Sequence, residues 1–290
     1  MPSEPKDAAV ADKATRLIDR LSQFAHVAVA FSGGVDSSVV AAAALRARAN
    51  AAIAVTARSP SLAKSQAEIA VRVAGEMGIA HRFVETDEIN NGDYRRNDGR
   101  RCFFCKQTLY RTMAAIAAHH PSSVIVSGTN ADDLDDYRPG LKAAEEASVV
   151  APLAELGLNK RDVRQLAVYF GLSNHDLAAA PCLASRVAYG VEVTTERLSR
   201  IERAEAWLAD RKFVHFRVRL HEGELARIEV TKDRIADLVA LDMDGALTDA
   251  FVSFGFKYVT IDTRGFRSGS LNEVLTPQSI SLYSIGETAS

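Results

Sequence analysis

Val27-Ala-Val-Ala-Phe31-Ser32-Gly33-Gly34-Val35-Asp36-Ser37-Ser38 runs five apolar residues straight into a Gly-Gly turn flanked by hydroxyls and a carboxylate. The apolar run reads as a buried strand of a parallel sheet. The alanine-rich stretch from Val39 to Leu45 reads as the following helix, with Ser37 and Ser38 in its first turn. Gly33 and Gly34 both allow positive φ and let backbone N–H groups approach an anion at the positive end of that helix, where the serine hydroxyls add hydrogen bonds. The stretch therefore predicts an anion cradle. It lacks both G-x-x-x-x-G-K-[ST] and G-x-G-x-x-G, so neither the Walker nor the dinucleotide fingerprint applies. The plainer alternative is a serine-capped Gly-Gly turn of an ordinary βα unit.

On either side of this stretch the βα rhythm continues. Leu17, Ile18, Leu21 and Phe24 have helical spacing, Ala51 to Thr56 reads as a second strand, Ser65 to Met77 as a helix ending at Gly78, and Ile79 to Glu85 as a third strand. Helical periodicity from Lys106 to His119 precedes a fourth strand at Ser123 to Ser127. Val149 to Leu153 is expected as a short fifth strand, and Asn159 opens a helix through Phe170. The expected fold is α/β, a doubly wound parallel sheet whose ligands sit at the carboxyl ends of the strands. Beyond Gly190 the rhythm changes. A helix over 194–208, strands over 213–220, 225–230 and 258–262, and a helix over 232–241 predict a smaller α+β domain. The expected division is 1–190, the nucleotide domain, and 191–290, the substrate-binding and oligomerisation domain.

With 47% apolar and 25% charged residues in 290, the chain is ordinary globular material. Its 35 basic against 37 acidic residues give no global attraction to nucleic acid or acidic membranes. Neither a signal peptide nor a membrane span is read in it, which predicts a cytoplasmic protein. Three cysteines do not make a disulfide framework in a reducing compartment.

Two of them, Cys102 and Cys105, follow the basic polar stretch Asn90 to Arg101, itself a candidate functional loop. A C-x-x-C can be half a zinc site, half an iron–sulfur site, a redox dithiol or two buried structural cysteines, and Arg101 and Lys106 would favour thiolates. After the fourth strand, Gly128-Thr129-Asn130 leads to the carboxylates Asp132, Asp133, Asp135 and Asp136, readable as a Mg²⁺ and nucleotide edge or as a solvated acidic loop. Pro181 places Cys182 in a loop with Ser185 and Arg186, and that loop could still meet the C-x-x-C in space. Arg217 and Arg219 repeat on one strand face, which suits a substrate phosphate or a solvated face.

These motifs together carry a resemblance. S-G-G-V-D-S at 32–37 resembles the pyrophosphate (PP-loop) motif of enzymes that split ATP between the α and β phosphates. With R-C-F-F-C-K at 101–106, G-T-N-A-D-D-L-D-D-Y-R-P-G at 128–140, P-C-L-A-S-R at 181–186 and the tail at 255–270, the chain resembles the LarE family over nearly its whole length. The resemblance implies an adenine nucleotide alpha hydrolase-like fold and an ATP-dependent, AMP- and pyrophosphate-forming sulfurtransferase of nickel-pincer nucleotide synthesis, the cofactor of lactate racemase. Its acceptor would be a carboxylate of a pyridinium-3,5-dicarboxylate mononucleotide, converted to a thiocarboxylate. It implies ATP and Mg²⁺ held by Ser32, Gly33, Gly34, Asp36, Ser37, Ser38, Gly128, Thr129 and Asp132, with Cys182, Asp36 and Ser37 catalytic. The acceptor would lie on Ser185, Arg186, Arg217 and Arg219, near Glu205, Glu229 and Asp237. Sulfur would come from a [4Fe-4S] cluster on Cys102, Cys105 and Cys182, fed by sulfide or a cysteine desulfurase, or sacrificially from Cys182, leaving dehydroalanine. A homo-oligomer without nucleic-acid or membrane partners is expected. The rivals are tRNA thiolation, ammonia-fed amide formation and a non-catalytic nucleotide-binding regulator.

Overall fold

The computed structural model describes residues 4–117, 123–134, 139–178, 180–267 and 270–271. The chain divides into two units, Met1–Glu88 with Cys102–Ala180, and Ile89–Arg101 with Pro181–Ser290. The second unit therefore begins ahead of the expected boundary at 190 and takes in the whole basic stretch before the C-x-x-C.

The first unit is built on four parallel strands, β1 (His26–Ala30), β2 (Ala52–Arg58), β3 (Ala80–Glu85) and β4 (Ser123–Val126), in the order β3-β2-β1-β4. β1 is central because its alternation of valine and alanine can be buried on both faces. Val27 and Val29 join Leu17 and Leu21 of α1 (Glu4–Ser22), Val39 and Val40 of α2 (Val35–Arg48), and Val163 and Leu166 of α8 (Lys160–Tyr169). Ala28 and Ala30 face the other way, with Tyr110 and Met113 of α5 (Arg101–Ala117) and Ala143 and Ala144 of α6 (Pro139–Glu146). α3 (Lys64–Met77) follows β2, and α4 (Gly92–Arg95) is a single turn in the second unit. Asn159 caps α8 by accepting from Asp162 N, as its sequence predicts.

The expected fifth strand does not form. Val150 makes one isolated parallel bridge to Val126, and two residues later Pro152 opens α7 (Pro152–Glu155) at the first helical position, where its missing N–H costs nothing. α6 was not anticipated, and Asp135, Asp136, Tyr137 and Arg138 of the acidic motif, with Ser268 and Gly269 of the tail, lie outside the described residues.

The second unit holds a three-stranded sheet of β5 (Phe216–His221), β6 (Leu225–Val230) and β7 (Tyr258–Ile261) in that order, β6 antiparallel to β5 and parallel to β7. One face of β5 and β6 is apolar (Val218, Leu220, Ala226, Ile228). It is buried with the inner faces of α9 (Thr195–Asp210) and α11 (Ala246–Phe254), whose Leu198, Ile201, Leu247 and Phe251 are 0–1% exposed. The helix expected over 232–241 is a 3-10 turn followed by α10 (Ile235–Ala240), and α11 was not foreseen. Among the described residues no helix is long and apolar enough to cross a membrane.

Candidate functional site

In the first unit the Gly-Gly turn leaves the carboxyl end of the central strand and enters α2, as the opening stretch predicts. Only Gly33 uses positive φ, at +73°. Gly34 is extended (φ −74°, ψ 164°) at the N-cap of α2 and has no side chain to cap the first turn, which leaves that turn sterically open to an anion. Ser37 Oγ accepts from Ser32 N at 3.2 Å, lies 3.2 Å from Ser32 Oγ and donates to Gly34 O at 3.0 Å, while Gly34 N donates to Ser32 Oγ at 3.2 Å. This ring of small polar groups satisfies itself, and an incoming pyrophosphate can take over its donors. Ser38 differs: it is wholly buried and its Oγ accepts from Asn174 Nδ2 at 2.9 Å, which makes it part of the support of the loop.

Two close approaches hold the turn. A Cβ on Gly33 would stand 2.8 Å from Ala70 Cα of α3, and a Cβ on Gly128 would stand 2.7 Å from Ser37 N. Gly128 therefore packs on the first turn of α2, and its neighbour Thr129 bonds Ser127 Oγ at 3.1 Å. Asp36 accepts from Asn130 Nδ2 at 2.8 Å. Burial pushes the Asp36 carboxyl above the ordinary carboxylate value and the nearby Asp133 charge adds to this, against the Asn130 hydrogen bond. Such a pair suits a divalent cation, which relieves both effects. Asp132 instead caps Lys160 N of α8 at 3.0 Å, so of the two described aspartates in this turn it is the buried Asp133 that acts on Asp36.

Cys102 and Cys105 lie one turn apart at the start of α5, Cys102 exposed and Cys105 half-buried, which removes the reading of two buried structural cysteines. Their spacing puts both thiols on one helix face, a fit for two neighbouring ligands of one metal group. Among the described residues no three Cys, His, Asp or Glu side chains gather as a metal site by themselves.

In the second unit Cys182 is exposed and precedes a 3-10 turn, Leu183–Arg186. Its carbonyl accepts from Ser185 N (3.0 Å), Ser185 Oγ (2.7 Å) and Arg186 Nη1 (2.9 Å). The buried Arg186 also bonds Pro181 O and forks onto Glu205 at 3.1 and 3.2 Å. Ser185 and Arg186 thus shape the cysteine turn. Arg219 is equally engaged, with Nε and Nη2 on the wholly buried Glu229 at 3.1 and 3.0 Å, Nη2 on Ser270 Oγ and Nη1 on Ser185 O, both at 3.1 Å. Arg227 adds a second pair to Glu229 at 3.0 Å. Arg217 is half-buried, its guanidinium 5.3 Å from the Phe266 ring centre; burial, then the Arg186 charge, lowers its pKa. Asp237 is not brought to this group: it is exposed and pairs with Arg234 at 2.6 Å, one turn away on its own segment.

Sequence reasoning missed Asn97 and Asn174. Asn97 is wholly buried at φ 55°; its Nδ2 donates to Ala188 O (2.8 Å), Val191 O (2.9 Å) and Val187 O (3.3 Å), and its Oδ1 accepts from Arg101. Arg101 reaches Ala184 O at 2.8 Å, so its guanidinium serves the cysteine turn. The Asn97-Asp98-Gly99 run was the available signal, because asparagine tolerates the left-handed region in turns.

Residues 13–94 match the family model described as asparagine synthase. An uncharacterized protein of Synechocystis sp. is 44% identical over 248 residues, 86% of this chain and 92% of that protein. The pyridinium-3,5-bisthiocarboxylic acid mononucleotide synthase of Lactiplantibacillus plantarum is 33% identical over 277 residues, 95% of this chain and 99% of that protein. An uncharacterized protein of Methanocaldococcus jannaschii is 26% identical over 83% of this chain and 91% of its own length.

Proposed function

The chain belongs to the LarE family, that of the Lactiplantibacillus synthase, and from this we propose that it is an ATP-dependent sulfurtransferase making a thiocarboxylate on a pyridinium dicarboxylate mononucleotide. The observation that carries the reading is that the likeness spans 277 residues, and so takes in the phosphate loop, the cysteine turn and the arginine-bearing strand together.

In this reading the loop amides, Ser32 and Ser37 hold the β and γ phosphates, and Asp36 with Asp133 holds Mg²⁺. A carboxylate oxygen of the acceptor attacks the α phosphorus, pyrophosphate leaves, and an acyl adenylate forms. A sulfur nucleophile then displaces AMP, giving the thiocarboxylate. Arg217 receives the acceptor phosphate: a dianion there offsets the burial, and after it the Arg186 charge, that lower its pKa. Arg219 and Arg186 act behind it, through Glu229, Glu205 and the cysteine turn.

Cys102, Cys105 and Cys182 would be the protein ligands of a [4Fe-4S] cluster, which when bound supplies a sulfide on the iron that no cysteine holds. Exposure of the Cys182 thiol favours a second reading, in which that sulfur is itself transferred. The test is anaerobic incubation with ATP, Mg²⁺, sulfide and the mononucleotide, followed by mass spectrometry. AMP, pyrophosphate and a thiocarboxylate product are expected, and ADP with phosphate as the main products would refute the reading.

A further inference from the structure

We infer that Asn174 is a positioning residue for ATP, locking the Gly33–Gly34 peptide with its N–H on the phosphate side of the loop and its carbonyl on the other. The inference deepens the proposed function and rests on the loop being the ATP site. Asn174 is 2% exposed, in the turn that follows α8. Its Nδ2 donates both to Gly33 O at 2.8 Å and to Ser38 Oγ at 2.9 Å. The amide orientation is dictated by these partners, since a backbone carbonyl only accepts. Its Oδ1 is buried and has no hydrogen-bond partner among the described residues, so the favourable contribution of this side chain lies in its donor.

The consequence follows from peptide geometry. In a planar trans peptide the C=O of Gly33 and the N–H of Gly34 point in opposite directions. Asn174 holds the first, and the second is turned to Ser32 Oγ at 3.2 Å, within the ring of groups that would receive pyrophosphate. Glycine at φ +73° leaves that peptide free to rotate on steric grounds, and a rotated peptide would present a carbonyl oxygen to the phosphates. A donor fixed on the far side of the loop removes that alternative. Through Ser38 the same amide ties the peptide to the first turn of α2, so loop and helix N-terminus are set together.

Asn174→Asp tests this, because it keeps shape and replaces the donor with an acceptor that repels Gly33 O. Binding of α,β-methylene ATP with Mg²⁺, measured by calorimetry on the full chain, is expected to weaken about 10- to 100-fold. The KM for ATP should rise in step while kcat at saturating ATP stays near the parent value, since a ligand that selects the competent loop pays only in apparent affinity. Asn174→Ala, which removes the donor without the repulsion, should lose less. An irreversibly misfolded fraction lowers the number of binding sites and not their affinity, so a variant that loses binding sites but keeps its affinity overturns the inference, as does unchanged KM. A parent that binds the analogue but releases no pyrophosphate from ATP refutes the proposed reaction, and the affinity comparison still decides the role of Asn174.

Discussion

Neighbouring residues of like type carry unlike duties here, and substitutions should separate them. Gly33→Ala is expected to abolish pyrophosphate release, because its Cβ would meet the Ala70 backbone at 2.8 Å in a left-handed conformation. Gly34→Ala should be milder, since that residue is extended and its Cβ would meet only Ser32 Oγ at 3.2 Å; equal losses in a steady-state assay would refute the distinction. The two strand arginines divide similarly. Arg219→Ala leaves the wholly buried Glu229 carboxylate to Arg227 and Ser270 and should lower stability by about 1.5–3 kcal/mol in urea unfolding, the loss of charge-assisted hydrogen bonds. Arg217→Ala should leave stability nearly intact and weaken the mononucleotide about 10- to 150-fold, the loss of a charge-assisted bond, with ATP affinity unchanged.

The segments between regular elements decide how the reactive groups are held. The stretch before the C-x-x-C reads as a basic functional loop, yet within the second unit its Asn97 and Arg101 bind the carbonyls of 184–191 and brace the turn after Cys182. Asn97→Ala should therefore slow thiocarboxylate formation about 10-fold or more, in line with losing buried hydrogen bonds, while acceptor-dependent pyrophosphate release continues. Loss of both rates together would make the brace a general structural one. Across β2 and β3, His81 Nε2 lies 2.8 Å from Thr56 Oγ1, and burial, then the Arg58 charge, depresses its pKa below the ordinary 6.5. A folded pKa below the unfolded one means that the unfolded chain binds more protons. Stability from this site is thus full above about pH 6.5 and falls as the pH drops through that value. The stability advantage of the parent over His81→Gln should shrink between about pH 8 and pH 5.5 in urea titrations.

At the scale of the whole molecule the sulfur source is the open choice, and the two routes give opposite mass spectra. Transfer from cluster sulfide leaves Cys182 unchanged in mass over many turnovers; sacrificial transfer stops after one and converts residue 182 to dehydroalanine, with loss of the elements of H₂S. We expect Cys102→Ala and Cys105→Ala, reconstituted anaerobically, to lose multiple turnover. If they transfer sulfur as the parent does while Cys182→Ala does not, Cys182 alone is the donor. By itself the sequence determined the parallel sheet, the phosphate loop at the end of its central strand, the helix caps and the family, because periodicity, glycine position and contiguous motifs are local signals. The fold settles which of Gly33 and Gly34 is left-handed, that Asp133 rather than Asp132 acts on Asp36, and that Ser38, Ser185, Arg186 and Arg219 are engaged by protein groups. It also decided that Asn97 and Asn174 hold the two loops from 90 and 141 residues away, since a buried donor is assigned its role by which carbonyl the fold brings within about 3 Å, and no sequence spacing encodes that distance.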